Sequence, residues 1–274
     1  MMEPKPVLSR ITIYPIKSLD GIDLQKAEIS NGGCLLHDRE FAISDEKGNF
    51  IIGKTNPLVH KLRTSFDLEN ETVSFRLQDK EAWNQFHIQK EKSEIQSYLS
   101  HYFGVRVVLN QNKTGRFMDI PDIAGVTVLS TASLESVSKW YEPMDLNEAR
   151  KRFRATLEIA GVPSFWEDCL FSTDGNGIEF KVGDVTIIGM SPRERCVVPT
   201  RNPETGIIKL GFAKSFAKYR NTSLPQWSTL NNYRHHYYLT VNCYIPETET
   251  GKIIETGSAV EIIGERNFYV PSKL

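Results

Sequence analysis

The sequence predicts an α+β fold that is mostly β: two β-barrel-like domains with a few peripheral helices. Three observations predict it. Short runs alternate between polar and apolar residues, turn signals separate them, and only a few stretches have helical period. With 274 residues, 40% of them hydrophobic and 24% charged, the chain can bury a sizeable core and is not disordered.

The elements follow in chain order. Arg10 to Tyr14 alternates as a half-buried strand does. Phe41 to Ser44 and Asn49 to Ile52 flank the polar turn Asp45-Glu46-Lys47-Gly48 and are expected to form a hairpin. Thr72 to Leu77 is a further strand. Ser93 to Phe103 puts Ile95, Leu99 and Tyr102 on one helical face, with Gly104 as its stop. The polar, turn-rich stretch from Asn110 to Ile123 is where the chain is expected to divide, into residues 1–118 and 119–274. Thr131 to Tyr141 is a second helix, and Asp145 with Glu148 caps a third that runs through Lys151. A strand through Ile159 follows, then strands at Glu179 to Val182 and Val185 to Ile188, joined at Gly183-Asp184. Ala213 to Tyr219 is a fourth helix, and Tyr237 to Tyr244 and Val260 to Ile263 complete the strands.

Charge and cysteine usage narrow the function classes. Thirty-three Lys and Arg against 34 Asp and Glu leave a net charge of -1, so nothing global calls for nucleic acid or an acidic membrane. An anion site must be a local cluster of cations. Residues 1–10 carry two prolines and no apolar core, so no signal peptide is expected there. No apolar run approaches the roughly 20 residues of a membrane span. The four cysteines include no CxxC pair, which removes zinc ribbons and thioredoxin-like motifs. A cytoplasmic protein with reduced thiols is expected.

Two apparent motifs fail on context. Gly48-Asn49-Phe50-Ile51-Ile52-Gly53-Lys54-Thr55 matches the P-loop pattern, but Pro57 opposes the helix that must follow, and Phe50-Ile51-Ile52 favours a strand. His235-His236 resembles a metal pair, yet neighbours on a strand point to opposite faces.

Cys196 stands apart from the other cysteines. Arg193 and Arg195 lie just before it, and positive charge favours the thiolate, the form that binds soft metals. Cys34 follows two glycines, Cys169 sits beside Glu167 and Asp168, and Cys243 lies inside a strand. Other cations stand at strand ends: Lys17 beside Ser18, Arg39 after Asp38, and Arg152 and Arg154 around Phe153. Together they could collect an anionic group such as a phosphate beside the thiol.

These residues carry a family resemblance. Ile13-Tyr14-Pro15-Ile16-Lys17-Ser18 and Asp38-Arg39 resemble the N-terminal β-barrel domain that precedes MOSC domains. Leu129-Ser130-Thr131-Ala132-Ser133-Leu134, Phe153-Arg154, Glu167-Asp168, Gly183-Asp184, Arg195-Cys196, Asn202-Pro203-Glu204-Thr205-Gly206 and Tyr219-Arg220 resemble the MOSC domain itself. The resemblance is greatest to the amidoxime-reducing group. It implies a molybdenum cofactor, molybdenum bound to molybdopterin, with Cys196 as the catalytic residue and metal ligand. The residues matching cofactor-binding motifs are Lys17, Ser18, Arg39, Ser130, Thr131, Ser133, Arg154 and Arg195, with Tyr237 or Tyr238 as a looser match. The implied reaction is oxygen-atom transfer from a small N-hydroxylated substrate, with electrons from an external donor protein, because no flavin, haem or iron–sulfur motif is present. The rival expectation is a cofactor or sulfur carrier that uses Cys196 without turnover. Where the family reads Arg-Pro-Asn, this chain has Arg154-Ala155-Thr156, and Asn202 replaces the aspartate of the Asp-Pro-x-Thr-Gly turn.

Overall fold

The computed structural model describes residues 5–114, 116–120, 125–172 and 176–267. Along the chain run β1 (Val7–Ile13), β2 (Ile22–Leu24), β3 (Lys26–Glu28), β4 (Phe41–Asp45), β5 (Leu62–Asp67), β6 (Thr72–Leu77), β7 (Asn84–His87), α1 (Lys92–Phe103) and β8 (Val107–Gln111). There follow β9 (Val126–Ser130), α2 (Thr131–Lys139), α3 (Leu146–Phe153), β10 (Leu157–Ala160), β11 (Gly177–Val182), β12 (Val185–Glu194), α4 (Phe212–Thr222), β13 (Tyr238–Tyr244), β14 (Ile253–Glu255) and β15 (Val260–Arg266). The fold is mostly β, as its alternating runs predict.

One eight-stranded sheet, ordered β15-β11-β12-β13-β9-β10-β1-β2, forms the larger body. It curls back on itself: Val7 bridges Ala259, and the Leu8 amide donates to the Ser258 carbonyl at 2.9 Å. Among the described residues no continuous ladder closes this seam, so the body is barrel-like rather than a sealed barrel. β9 and β10 are parallel, which requires a crossover, and α2 and α3 supply it. A second body holds β4 paired with β8, the β5-β6-β7 sheet and α1. Its apolar core runs from Ile16 and Leu19 through Phe75 and Leu99 to Leu109. β1 crosses from this half of the chain into the large sheet, where Leu8, Ile11 and Ile13 join the core of Val128, Ile187 and Val241.

Local chemistry accounts for several ends. Gly104 caps α1 in the left-handed conformation, φ 69°. The Asp145 side chain accepts from the Glu148 amide at 2.7 Å and starts α3. The expected hairpin after Phe41 forms only in part. Ser44 bridges Phe50, and the Ile51 amide donates to the Ile43 carbonyl, but the full ladder of β4 goes to β8. The segment resembling a P-loop is followed by a five-residue 3-10 turn, Pro57–Lys61, capped by Asn56, so no α-helix opens there. Among the described residues no helix is long and apolar enough to cross a membrane.

Candidate functional site

A cavity of about 1010 Å³ opens where the two bodies meet. Lys17, Ser18, Arg39, Arg154, Arg195 and Cys196 all line it. Residues from four distant stretches of sequence thus face one space.

β12 and its continuation bring Cys196 there. Register shifts between Gly189 and Ser191, and between Pro192 and Glu194, break the β12–β13 ladder, and such bulges re-aim the side chains that follow. The loop beyond is anchored from α3. Arg152 is buried, donates to the Pro199 and Arg201 carbonyls at 2.7 and 2.6 Å, and pairs with Glu148 at 2.6 Å. The Tyr237 hydroxyl donates to the Cys196 carbonyl at 3.3 Å. Tyr237 therefore braces the loop and does not line the cavity. The Cys196 thiol is exposed, and its sulfur accepts from the Val198 amide at 3.5 Å. The other three cysteines are more protected. Burial pushes the Cys34 thiol up to about 11, and burial followed by Asp168 and Glu167 does the same for Cys169. Burial alone raises the Cys243 thiol further.

The cations differ in how much of their charge is already matched. Lys17 donates to Asp119 at 2.6 Å, and Arg193 pairs with the other oxygen of that carboxylate. Burial opposes the Asp119 charge, but Lys17 and then Arg193 hold its carboxyl well below the usual range. Arg39 pairs with the buried Asp38 at 2.5 Å. Arg154 and Arg195 have no carboxylate partner among the described residues. Arg154 donates to the Leu19 carbonyl at 2.7 Å, and Arg195 to the Phe153 carbonyl at 2.8 Å. Burial pulls the Arg154 pKa down, and burial with the Arg193 charge pulls that of Arg195 to about 10. The Arg195 Nε is buried without an acceptor. These two guanidiniums are the uncommitted positive charge beside Cys196.

Tyr14, from the stretch 13–18, organises this wall. Arg154 lies 4.0 Å from its ring centroid and Arg39 lies 4.6 Å from it. Backbone strain marks the same place: Ser18, Arg39 and Arg154 have φ of 73°, 48° and 52°. Such conformations cost roughly 1–3 kcal/mol each and cluster at binding and catalytic sites. No sequence signal announces them. Thr156, standing where the family has asparagine, is buried with its hydroxyl 3.4 Å from that of Thr127.

Three expected site residues lie elsewhere. Ser130 and Ser133 are fully buried at the start of α2, where the Ser130 hydroxyl accepts from the Ser133 amide at 3.1 Å. The Ser133 hydroxyl donates to Glu167 at 2.8 Å. Thr131 does not line the cavity itself and donates at 2.8 Å to Glu158, which does. Beside the serines, Arg220 pairs with Asp168 in the interior and lies 3.8 Å from the Phe165 ring centroid. Arg220 thus joins the Glu167-Asp168 motif in one buried cluster, while its neighbour Tyr219 is exposed and stacks on Trp140. His235 stacks on Tyr238 and reaches Glu194 at 3.1 Å. Among the described residues no group of three or more His, Cys, Asp or Glu side chains is placed to hold a metal ion.

Fold and site together define a mostly β protein with a cationic cavity around one exposed thiol. Residues 5–106 match the family described as the MOSC N-terminal beta barrel domain, so the chain carries that domain and its resemblance to MOSC proteins stands. It is 23% identical over 242 residues to mitochondrial amidoxime-reducing component 1 of Xenopus laevis, covering 74% of this chain and 67% of that protein. It is 24% identical over 253 residues to molybdenum cofactor sulfurase of Arabidopsis thaliana, covering 75% of this chain and 30% of that protein. The chain therefore spans about two thirds of one relative and under a third of the other.

Proposed function

We propose that this chain binds a molybdenum cofactor in the cavity, with the Cys196 thiol as its one ligand to the metal, and reduces small N-hydroxylated compounds. The observation that carries this reading is the convergence of an exposed thiol with Lys17, Ser18, Arg39, Arg154 and Arg195 on a single cavity. The donor set fits such a group. One exposed thiol, with no cluster of three or more His, Cys, Asp or Glu side chains among the described residues, suits a metal that brings its own sulfur donors, and the uncommitted arginines suit a pterin phosphate. Both relatives' names concern amidoxime reduction or the molybdenum cofactor, which supports the same class.

When bound, the cofactor supplies the two-electron redox chemistry, and the protein supplies binding, position and electrostatics. Arg154 and Arg195 offer unmatched charge to the phosphate, and Arg39 adds a third guanidinium across Tyr14. Arg152 and Tyr237 hold the loop that presents Cys196. The conversion consumes two electrons and two protons and releases an amine or amidine and water. The electrons come from an external donor protein, and the proposed compartment is the cytoplasm.

Elemental analysis of freshly purified protein tests this reading. About one molybdenum per chain, lost in Cys196→Ser together with turnover of an aryl amidoxime, is expected. A second reading follows from the exposure of Cys196 and the likeness to a cofactor sulfurase: the chain carries cofactor or sulfur to another enzyme. Loaded protein that shows no turnover with any electron donor would favour the carrier.

A further inference from the structure

The cavity extends well beyond Cys196. At about 1010 Å³ it stands at the upper end of the range for one small-ligand site. Its lining also includes His60, Arg63, Arg76, Trp83, Arg201 and Pro203, and Arg63 of β5 joins this lobe to the turn after Arg201 through the Pro203 carbonyl.

The charges there are arranged against local stability. In the β5–β6 ladder, Arg63 stands directly opposite Arg76. Side chains so placed share a face, and like charges in that position are destabilising. Arg63 is only partly neutralised: Asp20 lies 3.3 Å away, and its guanidinium donates to the His60 and Pro203 carbonyls at 2.5 and 3.1 Å. Arg76 has no hydrogen-bond or ion-pair partner among the described residues. Its guanidinium lies 5.0 Å from the ring centroid of Trp83, whose indole is 45% exposed. Arg201 donates to the Gly206 carbonyl at 3.0 Å. The Nε atoms of Arg63, Arg76 and Arg201 are all buried without an acceptor. Glu204, the nearest carboxylate on the turn, is committed to Lys151 at 3.1 Å. Among the described residues one carboxylate, Asp20, forms an ion pair with any of these three arginines, namely Arg63, and Glu204 adds only a weaker interaction with Arg63. Buried donors without acceptors are costly unless something else supplies them.

The outer and inner cations are neighbours. His60 feels the charges of Arg154, Arg201 and Arg63, which add to burial in pushing its pKa down. A ligand that reaches past His60 therefore meets positive charge at both ends.

We propose that this outer lobe is a second anion-binding subsite, where Arg63, Arg76 and Arg201 hold a phosphate or carboxylate of a molecule whose other end lies at Cys196. Two sources share that chemistry. One is an acidic arm on the substrate; the other is the far phosphate of a nucleotide-extended pterin. The subsite itself does not depend on the reductase reading, whereas the substrate source does.

Inorganic pyrophosphate titrated calorimetrically into the purified full chain, free of metal and pterin, tests the subsite. Two binding events are expected. Arg76→Gln and Arg201→Gln should each weaken one of them about tenfold, the effect of one charge-assisted contact. Arg154→Gln should weaken the other. Two arginine variants guard against one failing to fold, and circular dichroism checks both. A single event, lost in Arg154→Gln and unchanged in folded Arg76→Gln and Arg201→Gln, would overturn the proposal. The source is then read from extracted pterin and from turnover. Nucleotide-bearing pterin in the wild type that is lost in Arg76→Gln assigns the subsite to the cofactor. Nucleotide-free pterin, with about a tenfold fall in the preference of Arg76→Gln for a carboxylate-bearing aryl amidoxime over a neutral one, assigns it to the substrate. Nucleotide-free pterin with unchanged preference would sink the idea that the anion belongs to a molecule reaching Cys196. If the loaded protein shows no turnover at all, the reductase reading fails and the titration alone decides the subsite.

Discussion

Two polar clusters, one in the interior at the start of α2 and one at the cavity where the two bodies meet, differ in how their charge is matched. At the start of α2, Ser130, Ser133, Glu167, Asp168 and Arg220 are buried, and the charge of the one guanidinium faces a carboxylate, although its Nε and one terminal nitrogen have no acceptor among the described residues. At the cavity, Arg154 and Arg195 have no carboxylate, their backbone carbonyl contacts leave charge unmatched, and Arg154 sits on strained backbone. Family motifs run through both. The difference teaches that a paired charge is used up within the fold, whereas a guanidinium without a carboxylate beside an opening keeps charge available to an anion, which is the basis of the proposed site.

The sharpest break of this comparison is at Cys196. Cys196→Ser should abolish molybdenum-dependent turnover, since a serine oxygen is a harder and far less acidic ligand. Cys34→Ser, Cys169→Ser and Cys243→Ser should retain turnover, measured beside metal content. Wild-type turnover and metal in Cys196→Ser would show that the exposed thiol is not the ligand.

In the interior cluster the expected effects are on stability. Arg220→Met strands the Asp168 carboxylate and should cost about 3–5 kcal/mol, read from the urea midpoint. A loss under about 1 kcal/mol would mean that the pair is not matched in the way the burial suggests.

Glu167 sharpens the contrast through pH. Burial, and then the Asp168 charge, raise its pKa from 4.5 to about 7. The folded state therefore keeps a proton that the unfolded state releases. Stability from this group is present below about pH 4.5, is lost as pH rises, and is gone above about 7, a change of about 3 kcal/mol. Glu167→Gln should remove that fall, seen by comparing denaturation of both proteins at pH 5 and pH 8. An equal slope in the two would assign the pH dependence elsewhere.

The smallest expected effects belong to single cations of the cavity. Arg154→Ala and Arg39→Ala should each reduce bound pterin by weakening contacts worth roughly 1.5–3 kcal/mol. Arg154→Lys should recover only part, because the planar fork is lost. Full pterin in both alanine variants with the fold intact would remove these residues from the site.

Much of the local structure was legible because its causes are local. Gly104 stops α1 and Asp145 starts α3 through contacts within one turn. The hairpin at Phe41 was less legible because the partner of β4 is β8, more than sixty residues on, and no local pattern announces that pairing. In the site, Cys196 and its arginine neighbours could be read from charge near a thiol. The stacking of Arg39 and Arg154 on Tyr14 could not, since it joins three segments that meet only in space.

By itself the sequence determined the short alternating strands, the helix caps and the presence of a thiol flanked by arginines. It also carried enough cation motifs to point toward an anionic ligand. Only the tertiary structure decided which of those cations stay available. Asp119 takes up Lys17 and Arg193, Asp38 takes up Arg39, and the α2 serines turn inward to Glu167. The physical reason is that charge neutralisation acts through space over a few ångströms, so the sum at the cavity depends on partners that the order of residues does not place beside one another.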